Sequence, residues 1–180
     1  MAVTVKLPTQ LRDAAGGAAS VQAEGATVGD APVMNGAQAA GCSPVAQAFA
    51  AGTDICRPVK PDTIAKSLAI GNPADGPYAV ELARRSGGSV ESVSDDEIRA
   101  GIRLLAETTG VFTETAGGVT TAVLAKLAEA GEIGRGERVV VVITGEGLKT
   151  LDAVRDSFTA HEVDPTIESF EAAFAESARV

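Results

Sequence analysis

The stretch Arg138-Val139-Val140-Val141-Val142-Ile143-Thr144-Gly145-Glu146-Gly147 decides the fold. From Val139 to Ile143 every residue is β-branched and none is polar. That pattern reads as a strand covered on both faces rather than one half-exposed to water. Such a strand belongs in the middle of a mostly parallel sheet flanked by helices, an α/β fold. Its carboxyl end is where ligands settle in open α/β sheets. There Thr144 offers a hydroxyl to the crevice, and Gly145 and Gly147 let backbone or ligand approach closely. A plain turn at Gly145-Glu146-Gly147 is the competing reading, because the pattern is neither the GxxxxGK[ST] of a phosphate loop nor GxGxxG.

Upstream of this run, strand signals alternate with helix signals. Val33 to Gln38 reads as a short strand, and the alanine-rich Ala39–Gly52 as a tightly packed helix after Pro44. Lys60-Pro61-Asp62-Thr63-Ile64-Ala65 reads as a turn leading into a helix or extended loop. Gly71-Asn72-Pro73 stops it, because a residue before proline is pushed out of helical angles. Pro77 to Arg85 is expected to be helical with Ala79, Leu82 and Ala83 inward, and Ser89 to Val93 to be a strand. Ser94-Asp95-Asp96-Glu97 has the spacing of a capping box, which opens a helix carrying Ile98, Ile102 and Leu105 on one stripe and ending at Gly110. Val119, Ala122, Val123 and Leu127 mark a second amphipathic helix, closed by Gly131.

The first 31 residues have a different texture. Val3, Val5 and Leu7 alternate with Thr4 and Lys6, Ser20 to Glu24 alternates again, and Gly16-Gly17 between them offers a turn. A β-hairpin is expected there. Two units follow from this reading, a hairpin segment over 1–31 and an α/β unit over 32–180.

Composition narrows the function classes. The 180 residues suit one ordinary domain. Twenty-four acidic against 15 basic residues give a net charge of −9. Nucleic-acid affinity rests on Lys and Arg clusters that neutralise phosphates, and the densest basic point is Arg84-Arg85. No nucleic-acid partner is expected. No run reaches the roughly 18 apolar residues of a membrane helix, and the opening residues lack the pattern of a secretory signal. The expectation is a soluble, cytoplasmic protein without a membrane partner. Cys42 and Cys56 have no His or Cys companions at metal-ligand spacing and read as reduced apolar fillers, so no metal is expected. The single His161 reads as a surface residue.

Two resemblances add to this. The opening, with Val3-Thr4-Val5-Lys6-Leu7-Pro8, Leu11-Arg12 and Gly16-Gly17, resembles the start of a ubiquitin-like sulfur-carrier protein. Such carriers act through a C-terminal Gly-Gly, whereas this sequence ends Ala178-Arg179-Val180. From Pro32 to Phe174 the chain resembles the C-terminal half of threonine synthases, pyridoxal-phosphate enzymes of the tryptophan-synthase-β fold. The resemblance is carried, in order, by Gly36-Ala37-Gln38-Ala39-Ala40-Gly41-Cys42-Ser43-Pro44, by Lys60 to Ala65 and by Ile70-Gly71-Asn72-Pro73. Val93 to Ile98, Glu114-Thr115-Ala116-Gly117-Gly118, and Thr144-Gly145-Glu146-Gly147-Leu148-Lys149 complete it.

The second resemblance implies pyridoxal 5'-phosphate as cofactor and the conversion of O-phospho-L-homoserine and water to L-threonine and phosphate. It places the Thr144 hydroxyl on the pyridine nitrogen, with Gly145 beside it in the cofactor-binding loop. Glu114 corresponds to the acidic residue of a Glu-Pro-Ala-like turn, with Thr115 in place of proline; its simpler reading is a cap on the following helix. Lys66 to Gly71 resembles a loop passing near the cofactor ring. A related activity, threonine dehydratase or cysteine synthase, shares most of these motifs, and a non-catalytic scaffold is a further alternative. The Ser-Phe-Lys-Asp-like motif that carries the imine-forming lysine is not among Lys6, Lys60, Lys66, Lys126 and Lys149, and no catalytic residue is assigned. Nor is there a glycine- and asparagine-rich phosphate loop. On its own the chain is therefore expected to be inactive, and to associate as a homo-oligomer or through an unpaired sheet edge.

Overall fold

The computed structural model describes residues 2–6, 20–24, 32–158 and 161–174. Strands β1 (Ala2–Lys6) and β2 (Ser20–Glu24) pair antiparallel, with Val5 opposite Val21. This is the expected hairpin; its Gly16-Gly17 turn and Leu11-Arg12 lie outside the described residues. A second sheet joins β3 (Gly36–Ala39) to β4 (Val90–Val93) in parallel, Gly36 opposite Val90 and Ala39 opposite Val93. Between them run α1 (Pro44–Ala50), an irregular loop with a 3-10 turn at Lys66–Leu68, and α2 (Gly76–Ser86). Parallel strands need such a crossover. After β4 come α3 (Asp95–Thr109), α4 (Thr115–Glu129), a kinked 3-10 segment over Gly147–Ser157, and α5 (Ile167–Phe174).

The capping box opens α3 as its spacing predicts. Ser94 Oγ accepts from the Glu97 amide at 3.3 Å, and the Ser94 amide donates to Glu97 Oε2 at 2.6 Å. Gly110 ends α3 with φ +75°, a left-handed turn that glycine takes without a Cβ clash. α3 and α4 then pack together at a glycine crossing: a Cβ on Gly118 would sit 2.7 Å from the Ile98 carbonyl oxygen. The close approach drives Ile98, Ile102, Val119 and Val123 into one fully buried cluster with Ala39 and Val93 of the parallel pair. Each such side chain contributes about 1.5–3 kcal/mol by leaving water. A second cluster of Val45, Ala46, Val80 and Val90 fills the other face of the pair, between α1 and α2. The parallel pair is thus helix-covered on both faces, as an α/β fold requires.

Two expectations are corrected. On α2 the inward residues are Val80 and Ala83, and Ala79 is exposed. Ala83 lies inward as expected and Leu82 is half-buried, while Val80 takes the inward place expected for Ala79. The valine run 138–143 forms no strand. Val140 is 90% exposed and Val142 63%. A β-ladder needs a neighbour to exchange backbone hydrogen bonds with, and no described residue supplies one. Among the described residues no helix is long and apolar enough to cross a membrane.

Candidate functional site

The carboxyl end of the valine run is tied down by the turn before α4. Glu146 bridges to Thr113 in antiparallel fashion. The Gly145 carbonyl accepts two hydrogen bonds, from Thr113 Oγ1 at 2.9 Å and from the Glu114 amide at 3.1 Å. The Gly147 amide donates to the Phe112 carbonyl at 3.1 Å, and the Phe112 ring lies where a side chain on Gly147 would go. The Glu114 carboxyl likewise fills the space beside Gly145. Both glycines are therefore required by close approach. Contacts from the Phe112–Glu114 segment thus hold the Gly145–Gly147 turn.

Thr144, Gly145 and Glu114, drawn from segments thirty residues apart in sequence, meet at this junction. Thr144 is exposed, its hydroxyl free of intramolecular hydrogen bonds among the described residues. Glu114 is buried and precedes the first turn of α4, but its side chain makes no capping hydrogen bond. Its charge still sits at the positive end of the helix dipole. The sequence reading missed the supporting residues. Thr113 holds Gly145, Thr150 Oγ1 accepts from the Thr115 amide at 3.1 Å, and Thr120 Oγ1 donates to the Val142 carbonyl at 3.2 Å. Thr115 Oγ1 is buried with no partner among the described residues. No spacing rule links these positions, since each contact crosses from one segment to another.

The loop that precedes α2 is anchored from a different helix. Asp95, in the first turn of α3, accepts from Thr63 Oγ1 at 2.6 Å and from the Ile64 amide at 3.1 Å, one bond per carboxylate oxygen. Ala65 is buried, and Ile64 and Leu68 pack on the main core. Lys126 is committed elsewhere, to Glu91 at 2.7 Å and the Ser92 carbonyl at 3.1 Å. A furrow of about 730 Å³ lies between the segment after α1 and α2 and holds no residue of the Thr144 loop. Its Arg84 is spent on the Thr53 and Phe49 carbonyls, 3.1 and 3.3 Å away, so the furrow is a helix-end clamp rather than the site. Burial pushes the Cys42 and Cys56 thiols up, Asp54 adding to the effect on Cys56, which keeps both protonated and unreactive near neutrality. His161 is exposed, and its ring lies tilted by 58° against Phe174 with centroids 5.0 Å apart. Among the described residues no group of His, Cys, Asp and Glu is placed to hold a metal.

Residues 12–145 match the sequence signature of the family described as "Pyridoxal-phosphate dependent enzyme". The chain belongs to that family. Its curated relatives include the threonine synthase of Methanocaldococcus jannaschii, 42% identical over 127 residues, which are 70% of this chain and 31% of the relative. The threonine synthase of Bacillus sp. (strain ULM1) is 50% identical over 93 residues, covering 52% of this chain and 26% of the relative. That of Mycobacterium tuberculosis (strain ATCC 25618 / H37Rv) is 40% identical over 138 residues, 74% of this chain and 36% of the relative. The chain thus spans between a quarter and just over a third of these relatives. Among solved structures, maize serine racemase aligns with a TM-score of 0.51 at 23% identity over 69% of this chain and 39% of that one, which shows the shared fold.

The residues at the junction fit one side of the family cofactor. The junction presents an exposed Thr144 with no hydrogen-bond partner for its hydroxyl among the described residues, next to a Gly145 whose side-chain space the Glu114 carboxyl fills.

Proposed function

We propose that residues 32–180 form the cofactor-ring side of a threonine synthase-like enzyme acting on O-phospho-L-homoserine, with residues 1–31 a separate hairpin segment. The observation that carries this is the junction of Thr113, Glu114 and Gly145, which holds the Thr144 hydroxyl outward at the end of the valine run. The 40–50% identity to threonine synthases supports the substrate assignment.

In this reading pyridoxal phosphate supplies the electron sink for elimination of phosphate and addition of water. The chain's own residues orient and tune it. Thr144 would offer the ring nitrogen a neutral hydrogen-bond partner, so that no full positive charge would be held there. Gly145 sets the distance of approach, and Glu114 keeps that glycine in place. The lysine amine that such chemistry needs would come from outside residues 1–180, because none of Lys6, Lys60, Lys66, Lys126 and Lys149 lies in the family motif. The chain by itself is inactive.

Two measurements test the reading. Borohydride reduction of the isolated chain with pyridoxal phosphate is expected to label no single lysine, and O-phosphohomoserine is expected to release no phosphate. With a lysine-bearing threonine synthase portion added, phosphate release is expected, and Thr144→Val should lower kcat by about tenfold or more, on the scale of lost hydrogen bonds to a reacting system. Equal kcat in the variant would show that Thr144 does not face the ring.

A further inference from the structure

We propose that α3 is a rocker that couples the Thr63–Ala65 loop to the Thr144 loop, so that a ligand fixing either loop also fixes the other. This deepens the reading above and rests on it only for the Thr144 loop bordering the cofactor.

One row of α3 side chains carries the coupling. Asp95, Arg99 and Arg103 follow one another at intervals of four residues, which places them along one face of a helix. Each reaches a distant stretch of chain. Asp95 accepts from the Thr63 hydroxyl and the Ile64 amide, the bonds that anchor the first loop. Arg99 Nε donates to the Ala153 carbonyl at 3.0 Å, and the Arg103 guanidinium donates to Ser157 Oγ at 3.2 Å. Both acceptors belong to the 3-10 segment Gly147–Ser157, the direct continuation of the Thr144 loop. Thr150, where that segment leaves helical angles at φ −134° and ψ 39°, has its hydroxyl held by the Thr115 amide. The corner is braced, and Val154 beyond it is buried in the main core. The segment therefore runs as a strap from the Gly145 junction to α3.

The opposite side of α3 supplies the pivot. A Cβ on Gly101 would collide with the Gly118 carbonyl oxygen of α4. With no Cβ on either glycine, backbone meets backbone at the crossing, without the interlocked ridges that fix a helix pair elsewhere. Asp95 and Arg103 lie on opposite sides of Gly101, about 9 Å and about 3 Å from it along the helix at 1.5 Å per residue. A tilt of α3 about the glycines moves the two tethers in opposite directions. Freedom lost by one loop is therefore lost by the other, and such coupling is reciprocal.

Native-state hydrogen exchange on the full chain, without cofactor, tests this. It is read at low denaturant, where local opening dominates and global unfolding, followed at the Val123 and Leu127 amides, does not. Arg99→Met with Arg103→Met keeps the apolar stems and removes the strap's tethers. The Ile64 and Ala65 amides are then expected to exchange at least about fivefold faster, by easier local opening, although neither arginine bonds that loop. In Asp95→Ala the Gly147 and Lys149 amides should accelerate by a similar factor. Acceleration confined to the segment that lost its own tether would overturn the proposal. So would acceleration across α3 no greater than that at Val123 and Leu127, which is general loosening of the core. These outcomes stand apart from phosphate release and the Thr144→Val result, because the loops are coupled or uncoupled whether or not Thr144 faces a ring.

Discussion

The Glu114 carboxyl occupies the volume that a side chain at Gly145 would need, and the Glu114 amide donates to the Gly145 carbonyl at 3.1 Å. Backbone and side chain of one residue thus hold the other from two directions. Gly145→Ala is expected to destabilise the domain by about 1–3 kcal/mol, the usual cost of an added methyl in a filled site. Glu114→Ala in the same molecule should return most of that loss, because it empties the volume. Urea unfolding of the two single variants and the double variant measures the coupling. Additive losses would mean that the two side-chain volumes do not compete.

The capping box predicts both a mutational and a pH effect. Ser94→Ala is expected to cost about 1 kcal/mol, typical for loss of an N-cap. The Glu97 carboxyl is held below its ordinary value of 4.5, chiefly by the Ser94 amide, then by the Ser94 hydroxyl, against some desolvation and with help from Lys126. A carboxyl with a depressed folded-state pKa contributes stability above its unfolded value, and that contribution is lost as pH falls through the folded value. Stability should therefore decline from about pH 4.5 downward, and the Ser94→Ala variant should show a shallower decline. Denaturation midpoints across that range decide it; parallel profiles would count against the assignment.

Asp95 fastens the Thr63–Ala65 loop through both carboxylate oxygens. Asp95→Ala should lose about 1.5–3 kcal/mol, the range for hydrogen bonds to a charged group. The loop should open before the helices do, so trypsin cleavage after Lys66 should accelerate by about tenfold while the α3–α4 core stays protected. Unchanged cleavage would show that the loop is held by core packing of Ile64 and Leu68 alone.

Thr115 is the reverse case. Its hydroxyl is buried without a partner among the described residues, so it contributes a desolvation cost and no bond. Thr115→Val keeps the shape and removes the polar atom. Stability is expected to stay level or rise by up to about 1 kcal/mol, read from thermal unfolding. A clear loss would reveal a partner for that hydroxyl.

Local signals carried far into the fold. Ser94 to Glu97, Gly110, and the Ile98 and Ile102 stripe name α3 and its ends because capping and periodicity are short-range interactions, complete within a few residues. Thr144 and Gly145 were legible as candidates from strand-end chemistry. Glu114 was legible only through the family resemblance, and Thr113, Thr115, Thr120 and Thr150 were not legible at all, because their roles are contacts between segments.

The valine run separates the two kinds of information. Its residue types determine that Val139 to Ile143 is extended and apolar, a property of β-branched side chains in any context. Whether that ribbon becomes a strand is not a property of its side chains. A ladder is completed by a second backbone, and the tertiary structure places α4, Thr113 and Glu114 along one side of the ribbon while leaving the side of Val140 and Val142 open.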